Sequence, residues 1–328
     1  MIAARRVFSV ARQGARAHVR TIQSASDAAA DASYARGLFF GVNNERQCFP
    51  YPTPSEDERD MIMSLVDPVQ RYFENEVDSK TMDETKKIPD ETMQALKDMG
   101  LFGLQIDEEL DGLGLSNTGY ARVCEEISVD ASLAVTVMAH QSIGLKGILL
   151  NGNDAQKQQY LPKLATGEHM AAFALTEPSS GSDAQSITTR AVLSDDGESF
   201  LLSGGKIWIS NGGWADVMTV FAQVEVDGVD KVTAFIVERA FGGVESGPPE
   251  DKLGIRASNT CEVTFDSTPI PVANVLGGGA DGKEGGMAGV GQGFKVRKRG
   301  AACLMCCAVL LCAVLLCANT TPSSPRWR

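Results

Sequence analysis

The sequence predicts an α+β chain, with an all-α helical domain over residues 55–169 and a small antiparallel β-barrel or sandwich domain over 170–276. Three observations predict it. Apolar residues recur at helical spacing from Ser55 to Thr166, and short β-type runs parted by turn dipeptides follow from Met170. The two ends differ sharply in charge from everything between them.

Residues 1–24 carry Arg5, Arg6, Arg12, Arg16 and Arg20, and the first acid is Asp27. Arginine spaced among Ala, Val and Phe without acids is the composition of a mitochondrial transit peptide, with a plain basic leader as the alternative. Residues 25–54 read as an extended segment. Ser55 and Glu58 form a capping box before Met61, Ile62, Leu65 and Val66. Asp67-Pro68 restarts that helix with Val69, Tyr72 and Phe73 inward, since Pro suits a first helical position. Pro89-Asp90 opens a second helix, with Met93, Leu96 and Met99 inward and Gly100 closing it. Ser116–Ile127 gives a third. Ser132–Leu150 is apolar on nearly every face and gives a buried fourth. Asn151-Gly152 stops it, and Asp154 caps a short fifth ending near Pro162.

The strands follow as Ala171–Leu175, Thr188–Leu193, Phe200–Leu202, Ile207–Ile209, Val217–Val224, Val232–Val237 and Glu262–Phe265. Asp196-Gly197, Gly204-Gly205, Asn211-Gly212 and Asp227-Gly228 are the turns between them. Short strands at this spacing imply a sandwich or barrel rather than a βαβ sheet. Residues 277–296 read as a Gly-rich linker. Its match to GxGxxG at 277–282 lacks the following helix that a dinucleotide site needs. Residues 297–328 form a divergent Cys-rich tail, in which 18 uninterrupted apolar residues, Ala301–Ala318, follow Arg297-Lys298-Arg299. That run meets the lower limit for a bilayer span.

Composition narrows the function. With 43% apolar and 22% charged residues the 328-residue chain is globular rather than disordered. The acids all lie in residues 25–296, where 42 of them face 20 Lys and Arg, so no basic field exists to steer nucleic acid. Three His (His18, His140, His169) leave little material for a metal site or a His-based triad. Five of the eight Cys crowd into the tail, in no disulfide or zinc spacing. Cys48, Cys124 and Cys261 read as small apolar packing groups.

Two segments suit ligand chemistry. Phe173-Ala174-Leu175-Thr176-Glu177-Pro178-Ser179-Ser180-Gly181-Ser182-Asp183 is a strand ending in a turn rich in hydroxyls and N–H groups. Such a turn suits a carbonyl-rich heterocycle or a pyrophosphate, and an ordinary solvated loop is the alternative. Trp208-Ile209-Ser210-Asn211-Gly212-Gly213 sets an aromatic face beside a hydroxyl at another strand end, with core packing as the alternative.

These segments, FALTEPSSGSDA (173–184) and KIWISNGG (206–213), resemble the acyl-CoA dehydrogenase family. So do AHQSIGLKGILL (139–150), YLPKLATGEH (160–169), residues 233–263 and GQGFKV (291–296), and the resemblance runs from about Tyr34 to Val296. It implies a helical domain, a β domain and a C-terminal four-helix domain. It also implies FAD as cofactor, held by Phe173, Leu175, Thr176, Gly181, Ser182, Trp208, Ile209 and Ser210, with Ser182 also touching the acyl-CoA. The implied reaction is α,β-dehydrogenation of a long- or very-long-chain fatty acyl-CoA in mitochondrial β-oxidation. Electrons would pass to electron-transfer flavoprotein from a homodimer in the matrix or at the inner membrane.

The resemblance stops at Val296, short of the four-helix domain that carries the family's catalytic Glu. No catalytic residue is therefore assigned, and the chain as written is expected to be inactive. Glu177 is a poor substitute, because its family role is structural. The tail reads as a frame or splice product, with a membrane anchor or a buried helix as alternatives. A second functional class is open: one branch of the family works in building respiratory complex I, with assembly intermediates as partners. EVDS (76–79), KIPDET (87–92) and SNTCEV (258–263) lean towards that branch.

Overall fold

The computed structural model describes residues 53–277 and 286–293, together with 38, 39, 41, 43, 45, 49 and 50. The Arg-rich leader, the apolar tail, Cys48 and all of the GxGxxG match beyond Gly277 lie outside the described residues. The chain divides into two compact units, Met1–Glu56 and Asp57–Arg328, and apart from the first residue of the first helix, Glu56, the elements below belong to the second.

Helix α1, Glu56–Asn75, buries Ile62, Val66, Val69 and Phe73 along one stripe. Pro68 lies inside it and restarts nothing: Pro68 faces solvent, and the buried Val66 and Val69 on either side keep the helix continuous. A short helix the periodicity did not show, α2 (Ser79–Thr85), is capped by Asp78, which accepts from the Thr81 N–H and hydroxyl. Helix α3, Asp90–Asp98, starts after Pro89, and Met99 caps it with Gly100 at φ +70°. Helix α4, Asn117–Ile127, is capped by the Ser116 hydroxyl, which accepts the Gly119 N–H at 3.1 Å.

The buried fourth helix is one run from Ala131 to Asn151 with a wider middle. Helix α5 (Ala131–Met138) passes through a π-helical turn (Ala139–Gly144) into α6 (Lys146–Asn151). The fifth predicted helix, α7, spans Asp154–Ala165 and runs past Pro162, held there by buried Leu161, Leu164 and Ala165. Asn153 rather than Asp154 caps it. The Asn153 side chain accepts the Gln156 N–H at 2.8 Å, and the Gln156 side chain accepts the Asn153 N–H at 3.1 Å.

The seven strands are β1 (Ala171–Ala174), β2 (Arg190–Leu193), β3 (Ser199–Ser210), β4 (Val217–Val226), β5 (Val229–Glu238), β6 (Val244–Ser246) and β7 (Thr260–Pro271). They form one curled sheet, a half-barrel, in the order β1-β4-β2-β3-β7-β6, with β5 paired to β4. The sheet is mixed where the sequence predicted antiparallel pairing. Strand β1 runs parallel to β4, and β2 meets β4 in parallel through Arg190 and Gln223. The predicted runs Phe200–Leu202 and Ile207–Ile209 are one strand, because Gly204 and Gly205 stay paired with Phe265 and Thr264 rather than turning. The irregularity beside them is a bulge on β7, which spends three residues (Thr268 to Phe265) where β3 spends two. Gly204 lies at φ +146°, and a Cβ there would sit 2.8 Å from Thr189 Cα, the residue just before β2. The edge strand β6 escaped prediction.

One face of the sheet closes on the helices. Ile148, Leu161 and Leu164 share a core with Val217, Phe221, Val232, Ala234 and Ile236. Gln156 ties α7 to the segment after β7 by donating to the Ala273 (2.7 Å) and Val275 (3.1 Å) carbonyls. The described part of the Gly-rich segment lies along β5, with the Gly291 N–H donating to Thr233 Oγ1 at 2.9 Å.

Candidate functional site

The two ligand-like segments meet. Strand β1 ends at Ala174, the polar turn begins, and the Ile207 N–H donates to the Thr176 carbonyl at 2.9 Å. Beneath that contact lies a buried ion pair. The Lys206 ammonium donates to Glu177 Oε1 at 2.7 Å and to the Leu175 carbonyl at 3.2 Å, and neither charged side chain is more than 1% exposed. Glu177 Oε1 also accepts from the Thr189 N–H (3.1 Å) and hydroxyl (2.6 Å). Its Oε2 accepts from the Thr188 N–H (2.6 Å) and hydroxyl (2.8 Å).

Burial alone would raise the Glu177 carboxyl, but hydrogen bonds from Lys206, Thr189 and Thr188 overturn that and hold it at about 2. Its five donors fill the acceptor capacity of a carboxylate. Glu177 is a structural anion with no lone pair left for proton transfer. Breaking such a buried pair costs about 3–5 kcal/mol, because the surviving charge is stranded.

The turn above the pair is internally tied. Glu177 and Ser180 exchange N–H to carbonyl bonds of 3.0 Å, and the Ser180 and Ser186 hydroxyls both donate to the Asp183 carbonyl. Gly181 and Ser182 stand in solvent, and a Cβ on Gly181 would meet nothing within 4 Å.

Trp208 is the unusual residue. It lies in β3 at φ +60° with its side chain 59% exposed. A bulky residue in that region is strained by about 1–3 kcal/mol, and such strain gathers where a ligand is held. The cause is a second bulge: Lys206 pairs with Val263 and Ile209 with Cys261, so β3 spends three residues where β7 spends two. Past it, the Asn211 N–H donates to the Asn259 carbonyl and the Gly213 N–H to Asn259 Oδ1, both at 2.7 Å. Arg239 binds the Ala215 and Gly212 carbonyls at 2.9 and 2.6 Å. The strand end is thus locked on its far side.

The eight predicted cofactor residues fall into two groups. Phe173 and Leu175 pack against the shared core, Phe173 with its ring centroid 5.1 Å from that of Phe221, and Ile209 is buried in the sheet. These three offer backbone only. Thr176, Gly181, Ser182, Trp208 and Ser210 are half-buried or exposed. Among the described residues, the hydroxyls of Thr176, Ser182 and Ser210 and the Trp208 indole N–H have no partner in the chain. Lys206, Thr188 and Thr189 were missed by sequence reasoning. The available signal was the unbroken apolar run Ile207-Trp208-Ile209, which no alternating strand explains.

The acyl-CoA dehydrogenase N-terminal domain family model matches residues 57–168, and the acyl-CoA dehydrogenase middle domain model matches 172–268. The chain is 51% identical over 272 residues to the very long-chain specific acyl-CoA dehydrogenase, mitochondrial, of Bos taurus. That alignment covers 80% of this chain and 40% of the relative, so the chain spans less than half the length of that protein. Among solved structures, an acyl-CoA dehydrogenase complexed with FAD from Bacillus anthracis superposes with a TM-score of 0.65 at 32% identity, over 81% of this chain and 43% of that one. Butyryl-CoA dehydrogenase from Megasphaera elsdenii gives 0.70 at 28%, over 84% and 72%. With its helical and sheet portions each matched by the corresponding domain model, the chain belongs to the acyl-CoA dehydrogenase family.

Proposed function

We propose that this chain holds FAD against Trp208 and serves the α,β-dehydrogenation of long-chain fatty acyl-CoA. The observation that carries this reading is the outward indole on its bulge, flanked by hydroxyls with no partner in the chain. An exposed ring and unspent hydroxyls suit a flat heterocycle edged with carbonyls, which is what an isoalloxazine is. Bound FAD supplies the two-electron acceptor for the hydride that leaves the substrate β-carbon.

The chain's own residues bind and orient. Trp208 offers an apolar face for stacking, and the Thr176 and Ser210 hydroxyls offer hydrogen bonds to the ring edge. Phe173, Leu175, Gly181 and Ile209 shape the backbone beside them, and the exposed Ser182 hydroxyl serves both cofactor and acyl-CoA. Glu177 does not take the substrate α-proton, because its carboxylate is buried and saturated. Electron-transfer flavoprotein as acceptor, a homodimer, and a mitochondrial matrix or inner-membrane location complete the proposal. EVDS (76–79), KIPDET (87–92) and SNTCEV (258–263) lean towards the complex I assembly role, but the two segments that form the site, TEPSSGSD (176–183) and WISNGG (208–213), lean towards the dehydrogenase, and the site decides between them.

The test is titration of FAD into the purified full-length chain, followed by quenching of flavin fluorescence. Saturable binding is expected. Trp208→Ala and Thr176→Ala should each weaken it about tenfold, the equivalent of ~1.4 kcal/mol. Indifference of FAD affinity to both substitutions would sink the reading.

A further inference from the structure

Strand β3 turns Lys206 and Ile209 inward and Trp208 outward. A regular strand alternates, so Trp208 would share the inward face with Lys206, two residues away. The extra residue of the bulge is what puts the indole in solvent. A bulge that holds a bulky side chain at positive φ persists only where both of its flanks are fixed.

The C-terminal flank is fixed by the ladder itself, with Ile209 opposite Cys261 and Ser210 opposite Thr260, and by the Gly212 N–H on the Ile209 carbonyl at 3.0 Å. On the N-terminal flank the pairing with β7 breaks after Lys206, and the Ile207 N–H turns away to Thr176. What fixes this flank from inside is the Lys206 ammonium, set on Glu177 Oε1 and the Leu175 carbonyl. Glu177 is itself aimed by four donors from Thr188 and Thr189. From these contacts we infer that Glu177 and Lys206 are a positioning pair, which clamps the bulge and holds the Trp208 indole outward without reaching the ligand. The identity of the ligand rests on the flavin reading above; the pose of Trp208 is a property of the chain alone. An apolar pair would fill the same space, but only directed hydrogen bonds fix the strand's rotation.

Two measurements on the full-length chain test the clamp. The chain has three Trp, so Trp214→Phe with Trp327→Phe leaves Trp208 as the single emitter. Its fluorescence anisotropy decay is expected to follow overall tumbling. Lys206→Met should add a fast local component. Thr189→Val, a near-isosteric change that removes one donor from the same Glu177 oxygen, should add a smaller one, and it serves if Lys206→Met does not fold.

The second measurement is a double-mutant cycle in FAD affinity between Lys206→Met and Trp208→Ala. Lys206→Met should weaken FAD about tenfold with Trp208 present and less than about twofold without it. Equal losses in both backgrounds, with no fast component in either variant, would overturn the clamp and leave Lys206 a general stabiliser. If the parent chain binds no FAD, the flavin reading falls, and the anisotropy decay alone decides the clamp.

Discussion

The His140 imidazole joins the helical run to the first strand. Its Nδ1 accepts the Ala171 N–H at 2.9 Å, so the proton sits on Nε2, which faces the Leu164 carbonyl at 3.0 Å. The ring is fully buried and stands edge-on to Phe102. Burial drives its pKa from 6.5 down to about 4, against backbone hydrogen bonds that favour the charged form. As pH falls below 6.5 the unfolded chain therefore binds a proton that the native one refuses, and stability is lost down to about pH 4. The whole window is worth about 3 kcal/mol. Urea midpoints should drop between pH 6.5 and 5. His140→Gln should be less stable at pH 7 and nearly flat across that window; parallel curves for the two proteins would refute this account.

The helix and the sheet approach each other closely at two glycines. A Cβ at Gly144 would lie 2.8 Å from Ala171 Cβ, and one at Gly147 would lie 2.7 Å from Thr219 Oγ1. Gly144→Ala must push backbone aside, so it should cost about 1–3 kcal/mol in thermal unfolding. Gly181→Ala, which meets open space, should stay within about 0.5 kcal/mol. An equal effect of the two would mean the contact is loose. The sequence announced the elements whose burial is periodic, such as α1 and α4, because a repeating apolar stripe has no other use. It hid α2, with a single buried Met82, and β6, a three-residue edge with no pattern. The site was half legible in the same way. The Thr176 and Trp208 motifs carried a family resemblance, but a lysine in a strand reads as solvent-facing. Only the ring of donors around Glu177 explains why Lys206 is buried.

In the described part of the second unit, one of three apolar cores joins helices and strands, so the two should melt as a single body. Phe221 is fully buried within it. Phe221→Ala should cost about 3–5 kcal/mol and move the helical circular dichroism and the tryptophan fluorescence transitions together. Separate midpoints for the two signals would show that the halves unfold independently. The run Ala131–Asn151 gives this shared core a kinetic side. By length and hydropathy it would pass for a membrane span; in the finished protein Leu133, Ala134, Val137 and Met138 pack among earlier helices, whereas Leu145 and Ile148 are covered by α7 and by strands that come later in the chain. On the ribosome its second half must wait for about 65 further residues before β4 exists to cover it, several seconds at roughly 5–20 residues per second. Throughout that interval a bilayer, a chaperone and another nascent chain compete for the same greasy surface. How soon the sheet arrives thus sets how long this half of the run stays uncovered.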